Sequence, residues 1–126
     1  MNKNGGFENL IVWQKAHQFV LDVYKKTKSY PKDELFALTS QYRRAATSIA
    51  ANIAEGYGKK GSSDKLRFYN IAEGSANECR YYIILSKDLG YVNPDDTNLL
   101  FNELTGIQKL LKSYTQTIKT NQPSNS

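Results

Sequence analysis

Residues 93–120, NPDDTNLLFNELTGIQKLLKSYTQTIKT, decide the fold of this chain. The segment opens with a capping Asn93, a proline at the first helical position and two acids in the first turn, which together are typical of a helix start. Apolar residues then recur at steps of four, three, four, three and four residues, at Leu100, Leu104, Ile107, Leu111, Tyr114 and Ile118. This heptad spacing predicts a long helix with one stripe packed against a core.

The positions of proline and glycine predict three more helices, all of which precede residue 93. The first covers about residues 9–29, because the residue before Pro31 is pushed out of the helical region. The second begins at about residue 32 or 33 and ends near residue 57, where glycines can adopt the left-handed conformation that caps a helix. The third begins with Ser62 or Ser63 as its cap and ends at Gly90.

Each upstream helix carries an apolar stripe at helical spacing. The first stripe contains Trp13, Ala16, Val20, Val23 and Thr27. The second contains Leu35, Leu38, Tyr42, Ala45 or Ala46, Ile49 and Ile53. The third contains Leu66, Tyr69, Ala72, Ala76, Cys79, Ile83 and Ser86. Short connections between long helices favour antiparallel neighbours, so we expect an all-α protein, an up-down-up-down antiparallel four-helix bundle.

Length and composition limit the other possibilities. A chain of 126 residues, 40% hydrophobic and 23% charged, fits one domain over residues 1–126, with an ordered core at about 7–119 and a disordered tail at 120–126. We expect neither a secretory signal nor a membrane-spanning helix in this sequence. One cysteine fits a reducing compartment, so we expect a cytoplasmic protein. The net charge of +5 allows nucleic-acid contact without requiring it.

The sequence offers no recognisable catalytic or metal site. Its one histidine, His17, cannot build a di-iron bundle site, which needs Glu-x-x-His motifs on two helices. Cys79 falls on the inner stripe, where a structural thiol is expected. The glycine-rich segment 56–61 lacks the strand and the Gly-Lys-Ser/Thr ending of a P-loop. We therefore expect no enzyme activity, no cofactor and no metal.

Two segments are more apolar than one bundle core requires. Residues 81–85 read YYIIL and residues 10–13 read LIVW, whereas a helix wet on one face should include polar positions. Self-association explains this excess, so we expect a homo-oligomer. The predicted interface residues are Trp13, Tyr81, Tyr82 and Ile84.

Polar side chains on the second and third helices predict a buried polar layer that fixes helix register. If the connecting turn centres near residue 60, opposed residues have numbers that sum to about 120, which places Gly74 against Ala46 and Glu78 beside an arginine. We therefore expect an ion pair from Glu78 to Arg43 or Arg44. The alternative is an active carboxylate site. The predicted layer consists of Arg43, Arg44, Asn52, Glu55 and Glu78.

Basic residues gather where the second helix turns into the third. Lys59, Lys60, Lys65 and Arg67 lie within nine residues, with aromatic residues between them. Cations interleaved with aromatics suit contacts with phosphates and unpaired bases. A solvated turn over core aromatics produces the same pattern, and this alternative stays open.

Three segments carry a family resemblance. These are QYRRAATSIAANIAEG at 41–56, AEGSANE at 72–78 and LGY at 89–91. They resemble the four-helix-bundle proteins encoded by intervening sequences in bacterial 23S rRNA genes, a family similar to the accessory variability protein of diversity-generating retroelements. The match covers about residues 7–118. The chain departs from the family pattern at Ala50, where many members have proline, and at Ala37, Asn77 and Cys79.

The resemblance implies a homopentamer with a basic surface. For the retroelement protein it implies binding to a reverse transcriptase and to nucleic acid, and for most other members it implies no established activity. We therefore expect a non-enzymatic, homo-oligomeric accessory factor associated with RNA or DNA. Its other partners would be a reverse transcriptase or another protein, with no membrane. The alternative is a protein-protein scaffold that does not bind nucleic acid.

Overall fold

A computed structural model describes residues 5–121. Four helices dominate it: α1 (Ile11–Thr27), α2 (Leu38–Gly58), α3 (Ser62–Asp88) and α4 (Pro94–Thr120). Short 3₁₀ turns, Phe7–Asn9 and Lys32–Glu34, precede α1 and α2. Each helix packs on two others, in the cyclic order α1, α2, α3, α4. The predicted antiparallel four-helix bundle is confirmed, and α4 includes Thr120, while residues 122–126 of the predicted tail lie outside the described residues.

One buried cluster fills the space between the helices. It contains the heptad residues Leu100, Leu104, Ile107 and Leu111 of α4, which are almost completely buried. The other two residues of that seam, Tyr114 and Ile118, are partly buried and pack against the cluster. Burial of the heptad residues therefore decreases toward the C-terminal end of α4.

The buried stripe of α1 differs from the predicted one. Val12 and Phe19 are buried, whereas the predicted Trp13 and Val20 are only partly buried. Trp13 and Val20 instead line a groove between α1 and α2. Ala16, Val23 and Thr27 are buried as predicted, whereas the prediction was wrong for Trp13 and Val20. Each of these two residues has an apolar neighbour, and periodicity alone could not rank the two positions.

The start of α2 also differs from the prediction. The segment after Pro31 forms a 3₁₀ turn, and α2 begins only at Leu38, so Leu35 is exposed. The carboxylate of Glu34 accepts hydrogen bonds from the Leu38 backbone N–H at 3.3 Å and from the Tyr91 hydroxyl at 2.8 Å. A tertiary contact with the α3–α4 connection thus holds this helix start, and local periodicity could not reveal it.

The ends of α3 and α4 follow their sequence signals. Gly90 has φ +78°, and the Tyr91 N–H donates to the carbonyl of Ser86, which completes a Schellman motif. The Asn93 side chain accepts a hydrogen bond from the Asp96 N–H at 2.7 Å. The predicted cap of α3 is wrong, because α3 begins at Ser62 itself and Gly61 is the capping residue.

The predicted register of α2 against α3 is wrong by about one helical turn. The Ser75 hydroxyl donates to the Ser48 hydroxyl at 2.8 Å, so opposed residues sum to 123 rather than 120. Gly74 is exposed, and a Cβ added there would meet nothing within 4 Å. The close approach occurs at Gly56, where a Cβ would lie 2.6 Å from the Tyr69 ring. The glycines of the turn have negative φ, so left-handed caps are not used there.

Candidate functional sites

The cations at the α2–α3 turn are partly committed to the fold itself. Lys65 Nζ donates to the carbonyl oxygens of Tyr57 at 2.8 Å and Gly56 at 3.2 Å, where it satisfies the open C-terminal end of α2. Lys59 Nζ lies 3.7 Å from a Glu55 carboxylate oxygen. Lys60 is exposed and makes no such contact with the described residues. The turn therefore offers fewer free cations than its sequence indicates.

Aromatic rings do lie among these cations. The Arg67 guanidinium is 4.5 Å from the centroid of the Phe68 ring, and Lys59 Nζ lies 5.1 Å from the same centroid. Phe68 is therefore approached by two cations of its own chain, a favourable arrangement that also occupies the ring. The predicted nucleic-acid role of Lys59, Lys60, Lys65 and Arg67 stays a prediction.

The predicted ion pair of Glu78 is wrong. Within residues 5–121 the ion pairs are Lys26–Asp96 and Lys59–Glu55. Glu78 is exposed and accepts a hydrogen bond from the Tyr82 hydroxyl at 2.8 Å. The orientation of the side chains explains the difference, because Glu78 lies on the exposed face of α3 while Arg43 is engaged with α1.

The arginines of α2 have other environments. Arg43 faces α1, where its Nε donates to the Thr27 hydroxyl at 2.8 Å and its guanidinium lies over the Tyr24 ring. Arg44 is exposed. Asn52 donates to the backbone carbonyl and the hydroxyl of Ser48. Within residues 5–121, the hydrogen bond that joins a side chain of α2 to a side chain of α3 is thus the Ser48–Ser75 pair, not the predicted layer of charges.

Cys79 has the buried environment that the sequence predicts, whereas His17 lies on the surface. Cys79 is fully buried, and burial raises the pKa of its thiol far above the usual range. A thiol held in its protonated form is a poor nucleophile and a poor metal ligand. His17 is exposed and stacks on Trp13, with ring centroids 4.9 Å apart. No group of three or more potential metal ligands occurs within residues 5–121.

Two of the apolar surfaces outside the core contain residues of the predicted interface. A groove of about 510 Å³ between α1 and α2 has a wall of α1 side chains and a floor of small α2 residues; it is lined by Phe7, Trp13, His17, Val20, Leu21, Tyr24, Thr47, Ala50, Ala51 and Ala54. On α3, Tyr81 is 57% exposed and Ile84 is 44% exposed. No α3 residue lines the groove, so the two apolar surfaces are separate.

The predicted interface residues are divided between these two surfaces. Tyr81 and Ile84 belong to the exposed surface of α3, and Trp13 lines the α1–α2 groove. Tyr82 is only half-buried, with its ring 5.8 Å from that of Tyr42. The predicted role of these four residues in self-association stays a prediction.

A carboxyl pair lies between α1 and α4. Burial, followed by a hydrogen bond with Asp22, raises the pKa of Glu103 to about 8, while the Lys26 ammonium acts in the opposite direction. Gln18 also donates to Asp22, at 3.2 Å. Glu103 Oε1 is buried with no hydrogen-bond partner among the described residues. Burial between α1 and α4 therefore favours the protonated form of Glu103.

A second groove, of about 410 Å³, lies between α3 and α4 and was missed by the sequence analysis. It is polar and is lined by Glu73, Asn77, Arg80, Thr105, Gln108, Lys109 and Lys112. Its α3 and α4 members are separated by more than twenty residues, so no local motif contains them. The available signal was the recurrence of polar residues at helical spacing beside each inner stripe.

No helix within residues 5–121 is long and apolar enough to cross a bilayer. Four packed helices with a polar and an apolar groove on the surface define a small helical-bundle protein. A family model described as 23S rRNA-intervening sequence protein matches residues 8–113. The chain belongs to this family.

A solved structure supports the assignment. It is a crystal structure of a protein of unknown function from the S23 ribosomal protein family of Bacteroides thetaiotaomicron, with a TM-score of 0.78 and 28% sequence identity. The match covers 84% of this chain and 96% of that one. No curated protein matches the chain. The resemblance to the intervening-sequence family is confirmed, and the similarity to the retroelement protein stays a prediction.

Proposed function

We propose that this protein is a non-enzymatic accessory factor of the cytoplasm that self-associates and binds nucleic acid. The observation that carries the proposal is the shortage of internal partners for its cations. Only Lys26 and Lys59 take part in ion pairs among the 16 lysines and arginines of residues 5–121, in a chain of net charge +5. Exposed cations without carboxylate partners attract a polyanion at long range.

Self-association would strengthen such binding. One subunit contacts few phosphates, whereas an oligomer repeats each contact and raises the overall avidity. The two apolar surfaces support this part of the proposal. Because the α1–α2 groove and the α3 surface differ, a head-to-tail contact can join one subunit's groove to the next subunit's α3, which generates a ring or a filament. The pentamer implied by the family resemblance is one such ring.

Binding is tested by fluorescence anisotropy with a single-stranded RNA and a DNA duplex, titrated from low to moderate salt. Affinity should fall steeply with salt, since each neutralised phosphate releases a condensed counterion. Replacement of Lys59, Lys60, Lys65 and Arg67 by glutamine tests the turn and should flatten the salt dependence if those residues touch phosphates. Absence of binding to both polymers at low salt would contradict the proposal.

Assembly is tested by light scattering at micromolar concentration, where we expect several subunits rather than one of 14.3 kDa. Tyr81→Lys combined with Ile84→Lys should shift the protein toward the monomer. Both side chains are exposed in the single subunit, so the fold should persist. Leu99→Lys, at a position on α4 that is 45% exposed, is the matched control and should leave assembly unchanged.

The second candidate is a protein-protein scaffold without a nucleic-acid role. The α1–α2 groove favours it, since its wall of Trp13, Leu21 and Tyr24 beside small α2 residues suits an apolar helix face. Self-association without any binding to RNA or DNA would favour this candidate.

A further inference from the structure

We infer that the groove between α3 and α4 is a phosphate-binding site that takes the backbone of single-stranded RNA. The inference rests on the proposed nucleic-acid function and places the contact away from the α2–α3 turn that the sequence indicates. Three cations line this groove: Arg80 from α3, and Lys109 and Lys112 from α4. None of the three has a carboxylate within ion-pair distance in residues 5–121, although Glu73 lines the same groove.

Contacts on one side of the Arg80 guanidinium hold this side chain in place. Its Nη1 donates to the Thr105 hydroxyl at 3.3 Å and to Gln108 Oε1 at 3.2 Å. The guanidinium carbon also lies 5.2 Å from the centroid of the Phe101 ring. These contacts use Nη1, so the Nε and Nη2 N–H groups stay available, and that pair of donors matches two oxygens of one phosphate.

The surrounding amides form a connected network. Gln108 Nε2 donates to Asn77 Oδ1 at 3.0 Å, so the amide that accepts from Arg80 is itself oriented by α3. A guanidinium fixed before binding loses less conformational entropy when it meets its ligand. At the α2–α3 turn, by contrast, Lys65 is bound to backbone carbonyls and Lys59 to Glu55.

The two lysines add charge without fixed geometry. Lys109 and Lys112 are exposed and lie three residues apart on α4, so they share one face of that helix beside Arg80. Their free ammonium groups can follow successive phosphates of a flexible strand. The groove therefore combines one oriented guanidinium, which has two parallel N–H donors, with two flexible ammonium groups. This combination suits a phosphodiester chain better than a single carboxylate.

The test compares three variants of the full chain by anisotropy with a single-stranded RNA oligonucleotide. The groove variant carries Arg80→Gln, Lys109→Gln and Lys112→Gln. The charge-matched control carries Lys25→Gln, Lys28→Gln and Lys32→Gln, all at exposed positions, so each variant lowers the net charge from +5 to +2 by removing three cations. The third variant carries only Lys109→Gln and Lys112→Gln, which cannot disturb the Arg80 contacts.

The groove variant should bind RNA at least about tenfold more weakly than the charge-matched control. Its slope of log affinity against log salt should fall by about 2, since each single-strand phosphate contact contributes roughly 0.7. The double lysine variant should show an intermediate loss. Equal binding by the groove variant and the control would overturn the inference and leave the proposed function intact.

A parallel titration with inorganic tripolyphosphate separates the two proposals if the wild type binds no RNA. One outcome is that tripolyphosphate stabilises the fold of the wild type and not that of the double lysine variant. That result would support a phosphate site in the groove and contradict the nucleic-acid function. No binding to either probe would reject both.

Discussion

The α2–α3 seam and the α1–α4 seam are both contacts between antiparallel helices, yet small residues fill one and titratable residues the other. In the α2–α3 seam, Ser48 and Ser75 share a hydrogen bond and the Tyr69 ring lies directly on Gly56. In the α1–α4 seam, Asp22 and Glu103 meet, and a cavity of about 170 Å³ lies beside Gly106. The first seam should be sensitive to added volume, and the second to pH.

The largest expected effect comes from adding a methyl group to the tight seam. Gly56→Ala should destabilise the protein by about 1–2 kcal/mol, because overpacking costs about 1–3 kcal/mol and alanine regains up to about 1 kcal/mol of helix propensity. Gly74→Ala is the matched control and should stabilise by about 0.5–1 kcal/mol, since its added Cβ meets nothing. Urea melts measure both, and equal effects would mean that the seam is not tight.

The pH dependence of stability tests the α1–α4 seam. Because the folded pKa of Glu103, about 8, lies above the ordinary glutamate value of about 4.5, the folded state binds its proton more tightly. The resulting stabilisation is complete below about pH 4.5 and is lost as the pH rises through about 8.

Glu103→Gln imitates the protonated form and removes this dependence. At pH 9 it should be more stable than the wild type by about 1–2 kcal/mol, a figure reduced for solvent screening of a half-exposed carboxyl. At pH 4 the two should be alike. Urea melts at both pH values provide the measurement, with Glu73→Gln on α3 as the control for an unrelated glutamate. A wild type that is equally stable at pH 4 and 9 would contradict the proton-sharing pair.

A smaller effect is expected at the end of the α2–α3 seam. Lys65→Met keeps the aliphatic chain but loses both hydrogen bonds to the C-terminal carbonyls of α2, so it should cost about 0.5–1 kcal/mol. Lys60→Met removes an exposed cation next to the same turn and should change stability by less than about 0.5 kcal/mol. Thermal melts of the pair isolate the capping role, which would be refuted by equal melting temperatures.

The smallest effect is expected for Glu78→Ala. Its exposed carboxylate accepts one hydrogen bond from Tyr82, so its loss should cost less than about 1 kcal/mol. A loss of about 3–5 kcal/mol in urea melts would instead indicate the buried ion pair with Arg43 or Arg44 that the sequence predicts.

Helix number, order and most boundaries could be predicted because their signals are local. Asn93 and Gly90 act through hydrogen bonds within a few residues, and the α4 heptad repeats often enough to define one face. The start of α2 could not be predicted, since Glu34 stabilises it together with Tyr91, 57 residues away. The turn cations were identified correctly as a cluster, but their internal hydrogen bonds were not visible in the sequence.

The sequence by itself determined an all-α bundle, a buried thiol at Cys79 and an excess of apolar residues on α1 and α3. Only the tertiary structure decided which glycine lies under a ring, which cations are free and which polar residues form a groove. The reason is one of scale: periodicity and capping depend on neighbours three or four residues apart, whereas helix register depends on side chains of two helices together. The predicted register was off by three residues, and the close contact lies at Gly56 rather than at Gly74. The hydrogen bond of Arg80 with Gln108 likewise depends on how α3 packs against α4.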